Sequence, residues 1–394
     1  MLILEIVLLA YFIYVVGYTV VFAVGGLGYT STPSVATTSH RRFAVLIPCY
    51  KEDAVILDVA EKALLQEYPK EKYTVFIIAD SLQKETLGKL RTMPLSVIEV
   101  VFENSTKVKA LNAALSSIDD NSFDNAVILD ADNVMEKDFL SQMNALITER
   151  GLRAIQGQRK PKNSNNSLAF LDGVSEAINN HIYRQGHTAL GLSSSISGSG
   201  VCFEFALLKK KLAHMNSVGG YDRELELRLI EDGIKVFYQR DAVVYDEKTS
   251  NVNAFQNQRR RWISSQYVYL ARYFGKGMKA LAEGNFTFFN SAVLRNIQLP
   301  RLLNIGLLTL FTLLAILVSN YLVLGTTVWL VLFGIHTIAI FISIPGEFYS
   351  KEMLISLVRL PGIFLNMILI LFKLKNANKK FLHTPHGLAA QKSQ

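Results

Sequence analysis

The chain is predicted to be an α/β protein: a mostly parallel sheet with helices on both faces, held between apolar segments of membrane-spanning length. Three observations predict this. From Phe43 onward, short strand-like runs alternate with helix-length segments, a pattern that builds parallel sheets from right-handed βαβ units. The run Ala126-Val127-Ile128-Leu129 ends in Asp130-Ala131-Asp132, as a strand covered on both faces would if it opened into a ligand crevice. The apolar excess of a chain that is 50% hydrophobic gathers at its two ends.

Residues Leu2 to Val24 are apolar but for Glu5, and about 20 such residues suffice to cross a bilayer. The run lacks a basic start, and Gly25-Gly26-Leu27-Gly28 is a poor small-x-small cleavage site, so a retained anchor is expected rather than a signal peptide. A Ser/Thr/Pro linker leads to His40-Arg41-Arg42. Positive residues beside a span favour the cytoplasmic side, which would place the central region there.

Strands are expected at Phe43–Pro48, Tyr73–Ala79, Val97–Phe102 and the run ending at Asp130. Helices are expected at Val55–Gln66, near Gln83–Arg91, and at Lys109–Ser117. Neither G-x-G-x-x-G nor G-x-x-x-x-G-K-[ST] occurs here, which excludes a dinucleotide fingerprint and a P-loop. Polar residues stand at the carboxyl ends of four successive strands: Tyr50 and Glu52, Asp80, Lys107, then Asp130 and Asp132. Asp-x-Asp supplies hard oxygens for Mg²⁺ or Mn²⁺, ions that complete their shells with water and substrate phosphate. Alone it would read as a solvated turn; with the other strand ends it reads as one crevice.

The formal net charge is +8, compatible with an anionic substrate or membrane face. No nucleic-acid module is present, and Lys209-Lys210-Lys211 reads as a solvated helix face. Cys49 and Cys202 are the only cysteines and have no metal-ligand spacing, as expected of a reducing compartment.

Ile47-Pro48-Cys49-Tyr50-Lys51-Glu52, Asp80, Lys107 to Asn112, Asp130-Ala131-Asp132, Ser197-Gly198-Ser199-Gly200 and Gln258-Arg259-Arg260-Arg261-Trp262 together resemble the ordered motifs of membrane-embedded, inverting family 2 glycosyltransferases. Cellulose, chitin and hyaluronan synthases belong to that group. The resemblance runs from about Arg42 to Trp262. It implies a GT-A-type domain, a UDP-sugar donor, Mg²⁺ or Mn²⁺, and extension of a β-linked glycan, usually processively. It further implies that Tyr50, Glu52 and Asp80 hold the nucleoside and that Lys107 contacts the nucleotide sugar. Asp132 is implied as metal ligand with Asp130 in support, Gln258 and Arg261 at the donor, and Trp262, Ser199 and Gly200 at the acceptor.

The family usually presents its catalytic base in a Glu-Asp pair, and Glu231-Asp232 is the obvious match. It is rejected in favour of Asp222. Asp222 opens the Asp-x-x-Leu-x-Leu pattern of the family's helix start and stands 36 residues before Gln258, against 26 for Asp232. Tyr221 occupies the place of the usual Glu. An opening Asp also suits a helix amino terminus, and both roles can hold at once.

After the Gln258–Trp262 motif, Arg259 and Arg260 are expected to face lipid headgroups. Two long apolar runs, Leu302–Leu324 and Thr326–Ile344, form a hairpin. A third, Met353–Phe372, is interrupted by Arg359-Leu360-Pro361-Gly362. Basic residues after it favour a cytoplasmic tail and a non-spanning last segment. The expected organisation is a membrane helix at 1–24, a linker at 25–40, the catalytic domain at 41–272, an interfacial segment at 273–300, a membrane region at 301–372 and a basic tail at 373–394. The expected setting is a bacterial inner membrane, with the acceptor a growing glycan or a lipid-linked sugar. A homo-oligomer or secretion partner is expected where product must cross the bilayer, since few spans come from one chain. A non-catalytic, glycan-binding membrane subunit is the remaining alternative.

Overall fold

The computed structural model describes residues 2–31, 38–217, 219–249, 251–319 and 325–374. The basic tail from 375, with His383 and His386, lies outside them.

An amino-terminal helix α1 (Leu2–Leu27) precedes the sheet domain. Strand β1 (Phe43–Tyr50), helix α2 (Ile56–Ala63), β2 (Tyr73–Asp80), α3 (Lys84–Leu90), β3 (Ser96–Val100), α4 (Lys107–Ser117) and β4 (Asn125–Ile128) then alternate. Next come β5 (Val134–Met135), α5 (Phe139–Arg150), β6 (Ala154–Pro161) and α6 (Ser167–Asn179), which runs through a π-helical turn, Asn180–Gly186, into α7 (His187–Ala189). Strand β7 (Val201–Glu204), α8 (Phe205–Leu212), α9 (Tyr221–Glu231) and β8 (Phe237–Asp246) complete the domain. The 31-residue α10 (Val252–Ala282) leads through α11 (Phe286–Phe289) and α12 (Arg295–Ile297) to α13 (Arg301–Leu317), α14 (Thr326–Ile342), α15 (Lys351–Leu357) and α16 (Leu360–Leu371).

The eight strands form one sheet in the order β3-β2-β1-β4-β7-β6-β8-β5. β1 pairs in parallel with β2 and β4, and β6 with β8, while β7 runs antiparallel between β4 and β6. The sheet is therefore mostly parallel, as expected. Alternation along each strand sorts its side chains into two layers. Val45, Ile47, Val75 and Ile77 pack under α2 and α5. Ala44, Leu46, Phe76 and Ile78 pack under α4, α8 and α9. Burial on both faces is what makes these strands read as continuous apolar runs.

The register carries the site. Tyr50 lies opposite Asp80 and Leu46 opposite Ile128, so the carboxyl ends of β1, β2 and β4 open along one edge. Lys51 and Ser81, the residues following Tyr50 and Asp80, both take positive φ, at 56° and 61°. Such strain in non-glycine residues clusters at functional sites.

Among the described residues one helix, Ile3–Leu27, is long and apolar enough to cross a membrane. Two bent pairs pass the same test only if each counts as one span: Phe286–Ile297 with Arg301–Leu317, bent by 55°, and Lys351–Leu357 with Leu360–Leu371, bent by 49°. The second bend falls at the predicted Arg359–Gly362 interruption. α1 is not a remote tether, because the Phe22 ring stacks on His187 at 3.9 Å and the Tyr18 hydroxyl lies 3.1 Å from His187 Nε2. α16 packs against α10 and α13 through Ile263, Leu303, Met367 and Ile370. α10 continues unbroken through residue 272, so the helix bearing Trp262 also reaches the apolar carboxyl-terminal region.

Candidate active site

A cavity of about 280 Å³ occupies the carboxyl edge of the sheet. It is lined by Tyr50, Glu52, Asp80, Lys107, Asp130, Asp132, Asp222, Gln258, Arg261 and Trp262. These residues span more than 200 positions of sequence, and three kinds of local geometry bring them together. Strand ends deliver Tyr50, Asp80 and Asp130. Helix openings deliver Lys107, the first residue of α4 behind the Thr106 cap, and Asp222, in the first turn of α9. The first half of α10, capped by Asn251, delivers Gln258, Arg261 and Trp262.

Lys107 Nζ pairs with the Asp130 carboxylate and donates to Gly198 O at 2.7 Å. It also lies 5.2 Å from the centre of the Tyr221 ring. Burial alone would lower the Lys107 pKa, but Asp130 and Tyr221 outweigh it and hold the ammonium above the usual lysine range. Tyr221 donates its hydroxyl to Gly198 O at 2.5 Å. Where the resembled family has Glu, this chain thus has a phenol that braces the loop and the lysine.

Asp132 is buried, and its Oδ2 accepts from the Glu247 N–H at 3.1 Å. Among the described residues no group of three or more His, Cys, Asp or Glu is arranged to hold a metal. Asp130 and Asp132 still offer two hard carboxylates facing one cavity, a partial shell of the kind Mg²⁺ or Mn²⁺ accepts when phosphate oxygens and water supply the rest.

Burial raises the pKa of Asp222, although backbone N–H groups at the helix start and the Lys107 charge oppose the rise. A carboxylate so poised is a stronger base than an exposed one. Asp232 sits at the far end of α9, half-exposed and paired with Lys211, and does not line the cavity. Arg261 is largely buried, which lowers its pKa, while the charges of Asp222 and Asp130 partly restore it. The side-chain oxygen of Gln258, Oε1, is buried without a hydrogen-bond partner among the described residues, a group that bound ligand would satisfy.

Two expectations need correction. Ser199 and Gly200 do not face the cavity. Ser199 is buried, its hydroxyl accepts from the Asp130 N–H at 2.9 Å and donates to Asn133 Oδ1 at 3.1 Å. Gly200 (φ +62°) is packed 3.0 Å from the Val244 side chain at its virtual Cβ. Their neighbours Ser197 and Gly198 form the wall instead, because β7 begins at Val201 and draws the two preceding residues under the sheet edge. Arg259, expected at lipid headgroups, turns inward to pair with Asp172 of α6 and lies 4.6 Å from the Trp262 ring centre.

Asp246 was missed in the sequence. It ends β8, lines the cavity, and pairs with Arg159 and with Lys248 at 2.9 Å. The strand-end rule that found Asp80 and Asp130 would have found it too. Asp172 and Glu176 carry no comparable signal, since they lie within an ordinary amphipathic helix.

The description "Glycosyltransferase like family 2" fits residues 40–265, more than half of the chain. The chain belongs to glycosyltransferase family 2. No curated protein matches it. Among solved structures, this transferase is similar to the mannosyltransferase PcManGT from Pyrobaculum calidifontis, in complex with GDP-Man and Mn²⁺. The identity is 17%, covering 83% of this chain and 93% of that one, with a TM-score of 0.51. It is also similar to S. aureus TarS 1–349 in complex with UDP-GlcNAc, at 17% identity over 56% of this chain and 64% of that one (TM-score 0.40). A third is glucosyl-3-phosphoglycerate synthase from Mycobacterium tuberculosis with Mn²⁺, UDP and phosphoglyceric acid, at 15% identity over 57% and 76% (TM-score 0.40). The transferase domain has the GT-A fold.

Proposed function

We propose that this glycosyltransferase is membrane-bound and moves a sugar, with inversion, from a UDP-sugar to an acceptor presented from the lipid side. One observation carries the reading. Asp222 and Trp262 line both the sheet-edge cavity and a second, larger cavity of about 540 Å³ that runs among α6, α10 and α13–α16. A donor in the first and an acceptor in the second would meet at Asp222.

Tyr50, Glu52 and Asp80 then hold the nucleoside, with Gln258 and Arg261 toward the diphosphate, where a guanidinium fork suits phosphate oxygens. Asp132 and Asp130 would hold Mg²⁺ or Mn²⁺, which would supply positive charge to the leaving diphosphate. Asp222 takes the proton from the acceptor hydroxyl as that oxygen bonds to the anomeric carbon. The bond to the diphosphate breaks and its electron pair leaves with UDP. Lys107 keeps Asp130 in place, and Trp262 offers a face on which an acceptor sugar stacks.

The second cavity favours a lipid-linked acceptor that receives one sugar, because its lining includes Leu302, Ile340, Ile344, Leu357 and Met367. Hydrocarbon fits such walls better than a hydrophilic polymer does. Processive synthesis of a β-linked polysaccharide is the second reading, favoured by Gln258-x-x-Arg261-Trp262. Product length tests the two: membranes containing the enzyme, incubated with labelled UDP-glucose or UDP-N-acetylglucosamine, should yield organic-extractable label carrying one added sugar. A ladder of water-soluble or insoluble polymer would overturn the single-addition reading. In either case the expected setting is a bacterial inner membrane with the catalytic domain on its cytoplasmic face.

A further inference from the structure

The larger cavity is not uniformly apolar. His336, on α14, is 3% exposed and lines it, and neither ring nitrogen has a hydrogen-bond partner among the described residues. Ionisable groups in apolar helices are costly and mark ligand paths more often than packing. Arg301, which opens α13, lines the same cavity. Its Nη1 donates to Asn179 Oδ1 at 2.9 Å and its Nη2 to Ser175 O and Oγ at 2.8 and 2.7 Å. Each of these partners is neutral. The neighbouring arginines differ, since Arg259 pairs with Asp172 and Arg295 with Glu226. Arg301 therefore brings to the cavity a guanidinium with no direct carboxylate partner among the described residues, the nearby Glu176 being paired with Arg184.

The residues shared by the two cavities narrow what this charge is for. Asn179 and Ser175, the partners of Arg301, line both cavities, as do Asp222 and Trp262. Arg301 is thus one hydrogen bond from the wall where sugar transfer is placed. Apart from Arg301, His336 and Thr337, the lining from α13–α16 is apolar.

We propose that Arg301 and His336 bind the phosphate of a lipid-linked sugar acceptor, with its sugar toward Asp222 and Trp262 and its hydrocarbon tail along α13–α16. The inference rests on the reading of this cavity as the acceptor site and adds the acceptor's chemistry: an anionic phosphate between a sugar and an apolar chain. Arg301 supplies charge-assisted donors to the phosphate oxygens, and His336 gains the partner it otherwise lacks.

The full-length chain, purified in a non-ionic maltoside detergent, can be titrated calorimetrically with dodecyl phosphate, dodecanol and inorganic phosphate. UDP with Mn²⁺ is titrated in parallel. Dodecyl phosphate should bind at least about tenfold more tightly than dodecanol, the scale of a hydrogen bond to a charged group, and inorganic phosphate should not compete with it at equal concentration. His336→Leu and Arg301→Gln should each weaken dodecyl phosphate by about tenfold and leave UDP affinity unchanged, with Arg301→Lys restoring part of the loss. Equal binding of dodecanol and dodecyl phosphate, or wild-type affinity in both His336→Leu and Arg301→Gln, would overturn the proposal. Tight competition by inorganic phosphate would overturn the lipid assignment and leave a free-anion site. Loss of UDP binding alongside intact, Arg301-dependent dodecyl phosphate binding would sink the donor reading but support the phosphate site.

Discussion

Asp222 loses its hydration on folding, and burial lifts its pKa above the usual carboxylate range. A raised folded-state pKa means that the group favours folding below the ordinary Asp range, a contribution lost as pH rises through the folded value. At neutral pH the ionised carboxylate is therefore a net cost that the proposed role as base can justify. Asp222→Asn should leave the melting temperature at pH 7 unchanged or higher, keep UDP binding, and lower turnover by about 10²- to 10⁴-fold. Asp232→Asn weakens a pair with the buried Lys211, which keeps its bond to the Arg228 carbonyl, and should cost about 1–2 kcal/mol, with activity retained. Wild-type turnover should fall as pH drops through the Asp222 value, at higher pH than an unperturbed aspartate would give, and a pH–rate profile checks this. Lys107 is held by Asp130 and Gly198, so Lys107→Ala should cost about 1.5–3 kcal/mol and weaken donor binding, as read by thermal melts with and without UDP. Most of these residues were legible in the sequence because a parallel sheet sends its strand ends to one edge. Ser199 and Gly200 were misplaced because a Ser-Gly-Ser-Gly stretch does not declare which members face the cavity. Arg259 was misplaced because its partner Asp172 is 87 residues away on a helix without a motif.

In the proposed reaction, helices rather than strands set how donor and acceptor would meet. α9 starts at Gly220, whose φ of +65° suits glycine, and a Cβ there would lie 2.7 Å from Ser265 of α10. That contact fixes the distance between the helix bearing Asp222 and the helix bearing Trp262. Gly220→Ala should cost about 1 kcal/mol or more in stability and lower kcat with little change in UDP affinity, measured by melts and steady-state kinetics. α13 and α16 approach each other at Gly306, where a Cβ would lie 2.2 Å from the Phe364 ring. Gly306→Val should part these helices and lower acceptor-dependent turnover while UDP-sugar hydrolysis continues, since the donor cavity does not include them. The alternation of strand and helix was readable from apolar period and length, and so was the break near Pro361. The antiparallel β7 was not, because four residues, Val201–Glu204, carry no mark of direction.

On the scale of the whole molecule, a GT-A domain sits against apolar helices through α1, α6 and α10, and its two cavities share a wall. The sequence showed the two compositional halves clearly, a charged centre and apolar ends. It could not show the second cavity, because that space is enclosed by pieces of eight helices drawn from residues 159–367. With α1 stacked on His187 through Phe22, the amino-terminal helix should be structural as well as anchoring: full-length protein should stay with membranes after alkaline carbonate washing, whereas a chain lacking residues 1–27 should be released or aggregate. The account as a whole rests on metal-assisted cleavage of a nucleotide sugar at the edge of the sheet, with Asp222 at the meeting point. Release of UDP from UDP-glucose and UDP-N-acetylglucosamine by the purified full-length chain with membrane lipid extract, in Mn²⁺ and then in EDTA, tests it most directly. The account expects lipid-stimulated UDP release from at least one donor, abolished by EDTA and by Asp222→Asn. Release that continues undiminished in EDTA, or in the Asp222 variant, would contradict it.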